Sequence, residues 1–552
     1  PISQCNNSDK HLKIKSMDSR KYTLKKKRLK VVYHIMGLLI IGALVSSCQE
    51  KAQIQKTDSQ PNILWIYLED TAPLLGGYGT TLISTPNIDN LAKEGILYQN
   101  VYMPAPVCSV VRSSIITGTM STTFGAHNHH SSRTKQSAIK LPENLETIPE
   151  LFKKAGYFTF NNGKDDYNFI YNRRDLYSQD YKVHPLYGKS GVHLDLATLG
   201  DKQPFFGQIQ LRGGKEIFAR NFKENVKKPA DRSKIELPPY LPDHPTIIEE
   251  YANHLDAIQI TDEKVGDIIR KLRENNLLDN TIVFFFSDHG MRITRNKQFL
   301  YDGGLHVPLI VADFRKGNKT IPVGTVNDDL INGLDLGTSS LALAGIQIPN
   351  YMEGINMFSD ATKREHVIST RDRCDFTIDH IRSVRSNEYK YIRNFMTDRP
   401  YTQPTYMDVD SIEFVRVMHD LHTKGKLNPL QDRFMADERP AEELYDLKED
   451  PFELINLATN PEYKDTLNKY AAILEKWMVD TDDKGQYPED EEGLKLMLGI
   501  WGKHAVNPEY EPIKKKYPNL AGSLFYLKSE PAVLIDSIIA EDPLIDMDFL
   551  QK

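Results

Sequence analysis

Apolar and polar positions fall in blocks along this chain, and two blocks share one form. Asn62–Leu68 reads Asn-Ile-Leu-Trp-Ile-Tyr-Leu and stops at Glu69-Asp70, and Thr281–Ser287 reads Thr-Ile-Val-Phe-Phe-Phe-Ser and stops at Asp288-His289-Gly290. A short, nearly unbroken apolar run with polar ends predicts a strand buried on both faces, as in a parallel sheet. Phe205–Leu211 and the apolar stretch 307–311 predict further strands, and Tyr157-Phe158-Thr159-Phe160 another. Helical periodicity lies between them. Thr85-Pro86 opens a helix with a capping threonine and proline at the first position, and a long pattern over roughly 247–275 predicts the crossover into the second acid-ended strand. Strands alternating with helices predict an α/β fold with a doubly wound sheet over 61–355.

The texture changes after Pro349. Arg382-Ser383-Val384-Arg385 and Tyr389-Lys390-Tyr391-Ile392-Arg393 alternate as half-buried antiparallel strands do, and a helix is predicted near 466–479. This predicts a smaller α+β subdomain over 356–500, followed by a Pro- and charge-rich extension over 501–552. No internal repeat is visible. At the other end, Lys25-Lys26-Lys27-Arg28-Leu29-Lys30 precedes an apolar stretch over 31–44 that is short for a membrane span. Val45-Ser46-Ser47-Cys48 then matches a bacterial lipobox. The expectation is a lipoprotein signal peptide over 1–48, lipidation of Cys48, translation from Met17 and a polar tether over 49–60. The mature protein is thus expected to be exported and lipid-anchored to a bacterial membrane, in the periplasm or at the cell surface.

Composition narrows the function classes. The net charge over 552 residues is −6, with both signs well mixed, so nucleic-acid binding has no electrostatic support. The four cysteines, Cys5, Cys48, Cys108 and Cys374, are too far apart for a disulfide framework or a zinc spacing. Cys5 falls in the segment expected to be removed, and Cys374 reads as a small buried residue.

Cys108 differs from the others. It stands four residues before Arg112, at the head of a Ser-Ser-Ile-Ile-Thr-Gly run that reads as early helix. A helix N-terminus beside a cation attracts anions and lowers a thiol's pKa. In an open α/β sheet, ligands bind beyond the carboxyl ends of strands, where Glu69, Asp70, Asp288 and His289 fall. Either pair alone also fits a helix cap; together they favour a divalent cation, calcium or magnesium rather than zinc. Lys164, after a strand-like stretch, and Lys297, in the loop after Asp288-His289, supply positive charge. Metal, arginine and lysines around one nucleophile suit a tetrahedral oxyanion.

These segments, in this order, resemble the formylglycine-dependent sulfatases of the alkaline-phosphatase superfamily. The resemblance runs from about Pro61 to Asp480. It rests on the strand ending in Glu69-Asp70, the Cys108-x-x-x-Arg112-Ser-Ser-x-x-Thr-Gly segment, Gly163-Lys164, Asp288-His289-Gly290, Lys297, Tyr301-Asp302-Gly303-Gly304-Leu305-His306-Val307-Pro308 and the late segment 443–453. It implies an alkaline-phosphatase-like fold and a sulfuric ester hydrolase. By the resemblance, a maturation enzyme converts Cys108 to Cα-formylglycine, and the aldehyde hydrate supplies the oxygen that attacks sulfur. The alcohol leaves, and the sulfated hemiacetal collapses to release sulfate. Glu69, Asp70, Asp288 and His289, with residue 108, are implied to hold calcium, with magnesium as the alternative. Arg112 is implied to steady the formylglycine, and Lys164 and Lys297 to hold sulfate.

The chain departs from the family pattern at four places. Val110 stands where the family has proline or alanine, and Glu69 where it has aspartate. Asp166 replaces the histidine two residues after the lysine, and is expected to accept the hemiacetal proton in its place. The histidine that follows the Phe205 strand is missing, and Lys215, nearest that place, is expected to protonate the leaving alcohol. The expected substrate is a sulfated carbohydrate, a glycosaminoglycan or an algal polysaccharide fragment. Sugar contacts are expected from His127, His129 and His130 and from Arg371, Asp372, Arg373, Asp375 and Arg382. Two other readings compete. A phosphate-ester or phosphonate hydrolase of this superfamily usually needs a second metal, and the sequence shows ligands for one. An inactive glycan-binding homologue gains from Val110 and the missing histidines, and loses because the charged residues remain.

Overall fold

The computed structural model describes residues 60–525 apart from 135, 180–193, 318, 320 and 362. The expected signal peptide, lipobox and tether up to residue 59 lie outside the described residues, as does the end of the chain from 526 onward.

The central sheet has seven strands, β1 (Asn62–Leu68), β2 (Gly95–Tyr102), β3 (Phe158–Asn162), β4 (Phe205–Leu211), β5 (Thr281–Ser287), β6 (Leu309–Asp313) and β7 (Thr325–Asn332), in the order β3-β4-β1-β5-β6-β2-β7. β3, β4, β1 and β5 run parallel, as does the β2–β7 pair, while β6 is antiparallel to both neighbours. The predicted strand at 307–311 is this β6. The unbroken apolar character of β1 has a direct cause. Ile63, Trp65 and Tyr67 enter the core on one face, and Leu64, Ile66 and Leu68 that on the other. Trp65 is met edge-on by Phe206 at 5.1 Å and Phe286 at 5.5 Å, and its indole N–H donates to Ser340 Oγ at 2.9 Å. Replacing so buried a ring with alanine removes about 3–5 kcal/mol of packing.

Register sets the site. Leu68 pairs with Leu211 on one side and Ser287 on the other. Glu69-Asp70, Arg212 and Asp288-His289 therefore leave the sheet side by side at one edge. The predicted crossover is the helix α4 (Pro245–Glu274). It follows α1 (Pro86–Lys93), α2 (Cys108–Thr117) and α3 (Ile148–Lys154) in the chain. α1 carries Pro86 at its start as expected, but the Thr85 hydroxyl does not cap it. That hydroxyl donates to Asp89 Oδ1 at 3.0 Å and accepts the Gly76 N–H.

A second sheet, antiparallel throughout, orders β8 (Val367–Arg371), β9 (Ile381–Arg385), β10 (Tyr389–Asn394) and β11 (Glu442–Asp446) as β11-β10-β9-β8. A helix, α5 (Lys464–Asp480), covers it through Tyr470 and Leu474. The two sheets share packing: Tyr102, Leu305 and Leu330 lie in one cluster with Val367, Ile381 and Tyr445. Among the described residues, the chain from Gln60 is one compact unit that continues across the change of texture after Pro349. The segment expected as an extension from 501 is packed as far as it is described. α6 (Glu491–Trp501) and α7 (Tyr510–Lys516) share a core with Phe376 and Ile378, joined by Leu520 and Leu524.

Candidate active site

α2 begins at Cys108 itself, earlier than the Ser-Ser run suggested, and closes on Gly118 in the left-handed conformation at φ 67°. All ten residues of this helix are buried, so it is a core helix with its N-terminus aimed at the acidic strand ends. One turn along, Arg112 lies over the Tyr67 ring at 4.3 Å. It donates to Gln210 Oε1 at 2.8 Å and pairs with Asp288 at 3.2 Å and Glu69 at 3.4 Å. Tyr67 and Gln210 were not singled out from sequence. Gln210 leaves a trace there, as a polar residue near the end of an otherwise apolar strand.

Lysines surround the sulfur. Lys297 Nζ stands 3.5 Å and Lys215 Nζ 3.9 Å from Cys108 Sγ, and His289 Nε2 stands 3.2 Å away. Burial pushes the thiol up, but Lys164, Lys215, Lys297 and His289 together outweigh it and bring Cys108 down to about 6. Lys164 reaches its place through Gly163, whose φ of 129° suits glycine and whose added Cβ would meet Gln210 Cβ at 2.5 Å.

Asp70, Cys108, Asp288 and His289 each offer one ligand atom, and these atoms lie within 4.8 Å of one another. Two carboxylates and an imidazole beside the residue 108 side chain fit a divalent cation, and four of the five expected ligands converge. Glu69 is the exception. Its carboxylate lies 2.9 Å from Lys164, 2.8 Å from Lys215 and 3.4 Å from Arg112, outside the converging group. Burial favours its neutral form, yet these three cations hold it well below the usual carboxylate range. Its carboxylate is instead paired with the lysines and the arginine.

Cys108, Glu69, Lys164, Asp166, Lys215 and Lys297 line one cleft of about 1100 Å³, together with His129 and His130. Lys164 bridges Glu69 and Asp166, the latter at 3.1 Å. Lys215 is held protonated: burial lowers its pKa, but Asp70, Cys108 and Glu69 raise it well above the ordinary lysine value. The remaining expected sugar contacts are corrected. His127 is buried away from the cleft and driven down to about 4 by burial and by Arg382. Arg371 pairs with Asp379 at 3.6 Å, Asp372 with Arg382 at 3.1 Å and Arg373 with Glu489 at 2.6 Å. None of these three lines the cleft, and each is itself buried. Arg382 likewise pairs with Asp483 at 2.6 Å. Asp375 and Cys374 do line the cleft, with Tyr406 and Trp501.

The family model described as Sulfatase matches residues 61–346, just over half of the chain. An ulvan-active sulfatase from Formosa agariphila is 31% identical over 504 residues, covering 83% of this chain and 81% of its own. A second ulvan-active sulfatase from the same organism is 27% identical, covering 80% and 87%. Among solved structures, that of a 2-O GAG sulfatase aligns with a TM-score of 0.54 at 22% identity, covering 78% of this chain and 94% of its own, and shares the fold.

Proposed function

This chain belongs to the sulfatase family and is a sulfuric ester hydrolase, and from that premise we propose that it removes sulfate from an acidic algal polysaccharide of the ulvan type, using residue 108 as formylglycine. The substrate class follows the ulvan-active relatives. The observation that carries the site assignment is the position of Cys108, at a helix N-terminus among Lys297, Lys215 and His289 and within the group formed by Asp70, Asp288 and His289. That donor set, two carboxylates and an imidazole, suits calcium, which would supply charge for an anionic substrate and for the oxygen of residue 108. As an aldehyde hydrate, residue 108 would supply the attacking oxygen.

The chain's own residues do the rest. Lys164 and Lys297 place two ammonium groups where sulfate oxygens gather charge as the S–O bond breaks. Arg112 donates to Gln210 and pairs with Asp288, which fixes the helix end against the strand edge and keeps residue 108 in line. Lys215 is the most exposed of the three lysines, and its protonated ammonium is placed to give a proton to the departing alkoxide. Asp166 faces the cleft beside Lys164 and accepts the proton released when the sulfated residue 108 returns to the aldehyde.

Two measurements test this reading. In protein from its native host, the peptide bearing residue 108 should be about 18 Da lighter than the cysteine form, as the aldehyde replaces the thiol. The same protein should release sulfate from ulvan oligosaccharides, and Cys108→Ala should abolish it. A thiol alone at residue 108, with no sulfate released from ulvan or glycosaminoglycan oligosaccharides, would overturn the reading.

A further inference from the structure

A second group of ligand-type side chains lines the same cleft, apart from the Asp70, Asp288 and His289 group. His129, His130 and Asp166 each present one donor atom, and these atoms lie within 4.8 Å of one another. The two imidazoles stack with centroids 3.6 Å apart and planes 25° apart. Both turn their Nδ1 edge towards one carboxylate oxygen, Asp375 Oδ1, at 3.2 Å for His129 and 3.9 Å for His130. On its other edge, His130 Nε2 meets Asp166 Oδ1 at 3.0 Å. Arg373 ties this arrangement from below, donating to the backbone carbonyls of both His129 and Asp375. His130, Asp166 and Asp375 all hold left-handed backbone, at φ 56°, 53° and 50°. Three such residues in one wall are unusual without glycine and persist only where surrounding structure enforces them.

Hydrogen bonding alone leaves the group unbalanced. A neutral His130 carries one N–H and faces two carboxylates, so it can serve only one of them. Asp166 and Asp375 bring two negative charges; Lys164, the ammonium on Asp166, is shared with Glu69, Arg373 beside Asp375 is shared with Glu489, and Arg133 lies near His130. A divalent cation offsets that charge and satisfies the Nε2 lone pairs together with Asp166. Two imidazole nitrogens and one carboxylate oxygen select the zinc class over calcium. An imidazole whose other nitrogen donates to a carboxylate is the usual support of such a ligand, and Asp375 provides it.

We propose that His129, His130 and Asp166, the last through its Oδ1, form a second metal site for a zinc-class divalent ion, oriented by Asp375 and with a coordination position open to the cleft, while Asp166 Oδ2, beside Lys164, is left for the proton transfer proposed above. Three protein ligands and one open position leave room for an oxygen donor, a hydroxyl or an oxyanion of the substrate that occupies the cleft. The site does not depend on the sulfatase reading, since a metal bound there is detected without turnover.

The test titrates the folded Cys108→Ala chain, which lacks the zinc-favouring thiolate, with zinc in excess calcium, so that calcium competes for the remaining Asp70, Asp288 and His289 group, and measures bound metal by mass spectrometry. Cobalt replaces zinc in a parallel titration, where its visible d–d bands report coordination by nitrogen and oxygen. One equivalent of zinc should be retained, and His129→Gln and His130→Gln should each abolish retention. Asp375→Asn, which removes only the supporting carboxylate, should weaken binding by about 10–100-fold. Asp288→Asn, at the other group, should leave zinc binding unchanged. Thermal melting of each variant separates loss of the ion from loss of the fold, and Asp375→Asn, which keeps all three ligands, tests the site if either glutamine variant fails to fold. No zinc retained by the parent protein, undiminished binding in the folded His130→Gln or Asp375→Asn variant, or loss of zinc in folded Asp288→Asn would each overturn the proposal. Zinc retained in this titration, with no sulfate released by the protein from its native host, would leave this site standing while removing the function proposed above.

Discussion

Three ammonium groups and an imidazole set the ionisation of Cys108 against its burial, and the balance falls at about 6. The sign fixes a measurable outcome. A lowered pKa means that the thiolate predominates above pH 6, so in protein made without maturation and stripped of metal, alkylation of Cys108 by iodoacetamide should rise through pH 6. An ordinary cysteine rises near pH 8.5. Cys374 is the internal control: burial and then Asp375 push its thiol well above the usual value, and it should stay unreactive across that range. At Lys164 and Lys297, removal of a charge placed for the transition state should lower kcat/KM about 10²–10³-fold on alanine substitution, measured as sulfate release. Both lysines, and the acids beside them, were legible in sequence because each stands in a short local motif. His130 was read there as a sugar contact; its pairing with Asp166 was not legible, because the two come together only through the turns of separate loops. Glu69 shows a different limit. Its place at the strand end was readable, but the direction of its longer side chain is decided by three cations from three distant segments.

At the scale of single elements, the turn between β3 and Lys164 depends on one glycine. Gly163→Ala would put a Cβ at 2.5 Å from Gln210 in a backbone conformation that alanine disfavours. The expected cost is about 1–3 kcal/mol, seen as a lower melting temperature, together with a fall in kcat as Lys164 is displaced. On β9, Arg382 joins Asp372 to Asp483 with its side chain fully buried. Arg382→Ala would strand both carboxylates and should cost about 3–5 kcal/mol in denaturant unfolding, with KM unchanged in the fraction that stays folded. Strands buried on both faces were easy to find by their unbroken apolar runs. β2 and β7 were missed because they mix polar and apolar positions, as in Tyr98-Gln99-Asn100 and Asn327-Asp328-Asp329. The Arg371-Asp372-Arg373 run was read as a sugar contact because charge density alone does not tell a surface patch from a buried network.

Across the whole molecule, the shared core makes the carboxyl-terminal part a wall of the site rather than an appendage. Trp501 and Tyr406 line the cleft, and Tyr510, Leu520 and Leu524 pack against Phe376 two residues from Cys374. Ending the chain at residue 500 should therefore destabilise the entire protein. The loss of several buried side chains, each worth about 2–5 kcal/mol, should appear as one earlier melting transition rather than the loss of a separate one. The texture of 501–525 did not foretell this, since its prolines and charges surround only a few apolar anchors.

The burial of α2 also bears on timing. Every residue from Met103 to Met120 is buried, and of these only Val107 and Cys108 line the cleft, leaving no strand of backbone that a modifying enzyme could grip in the finished fold. The proposed oxidation of Cys108 thus has a deadline, set by the moment the central sheet closes over that helix. Chains that miss it would be well-made but permanently idle, so specific activity in any preparation counts how many molecules met the enzyme while still extended. Slowing the collapse of the sheet or supplying more of the maturation enzyme during synthesis would raise that count, and neither would help once the protein is purified.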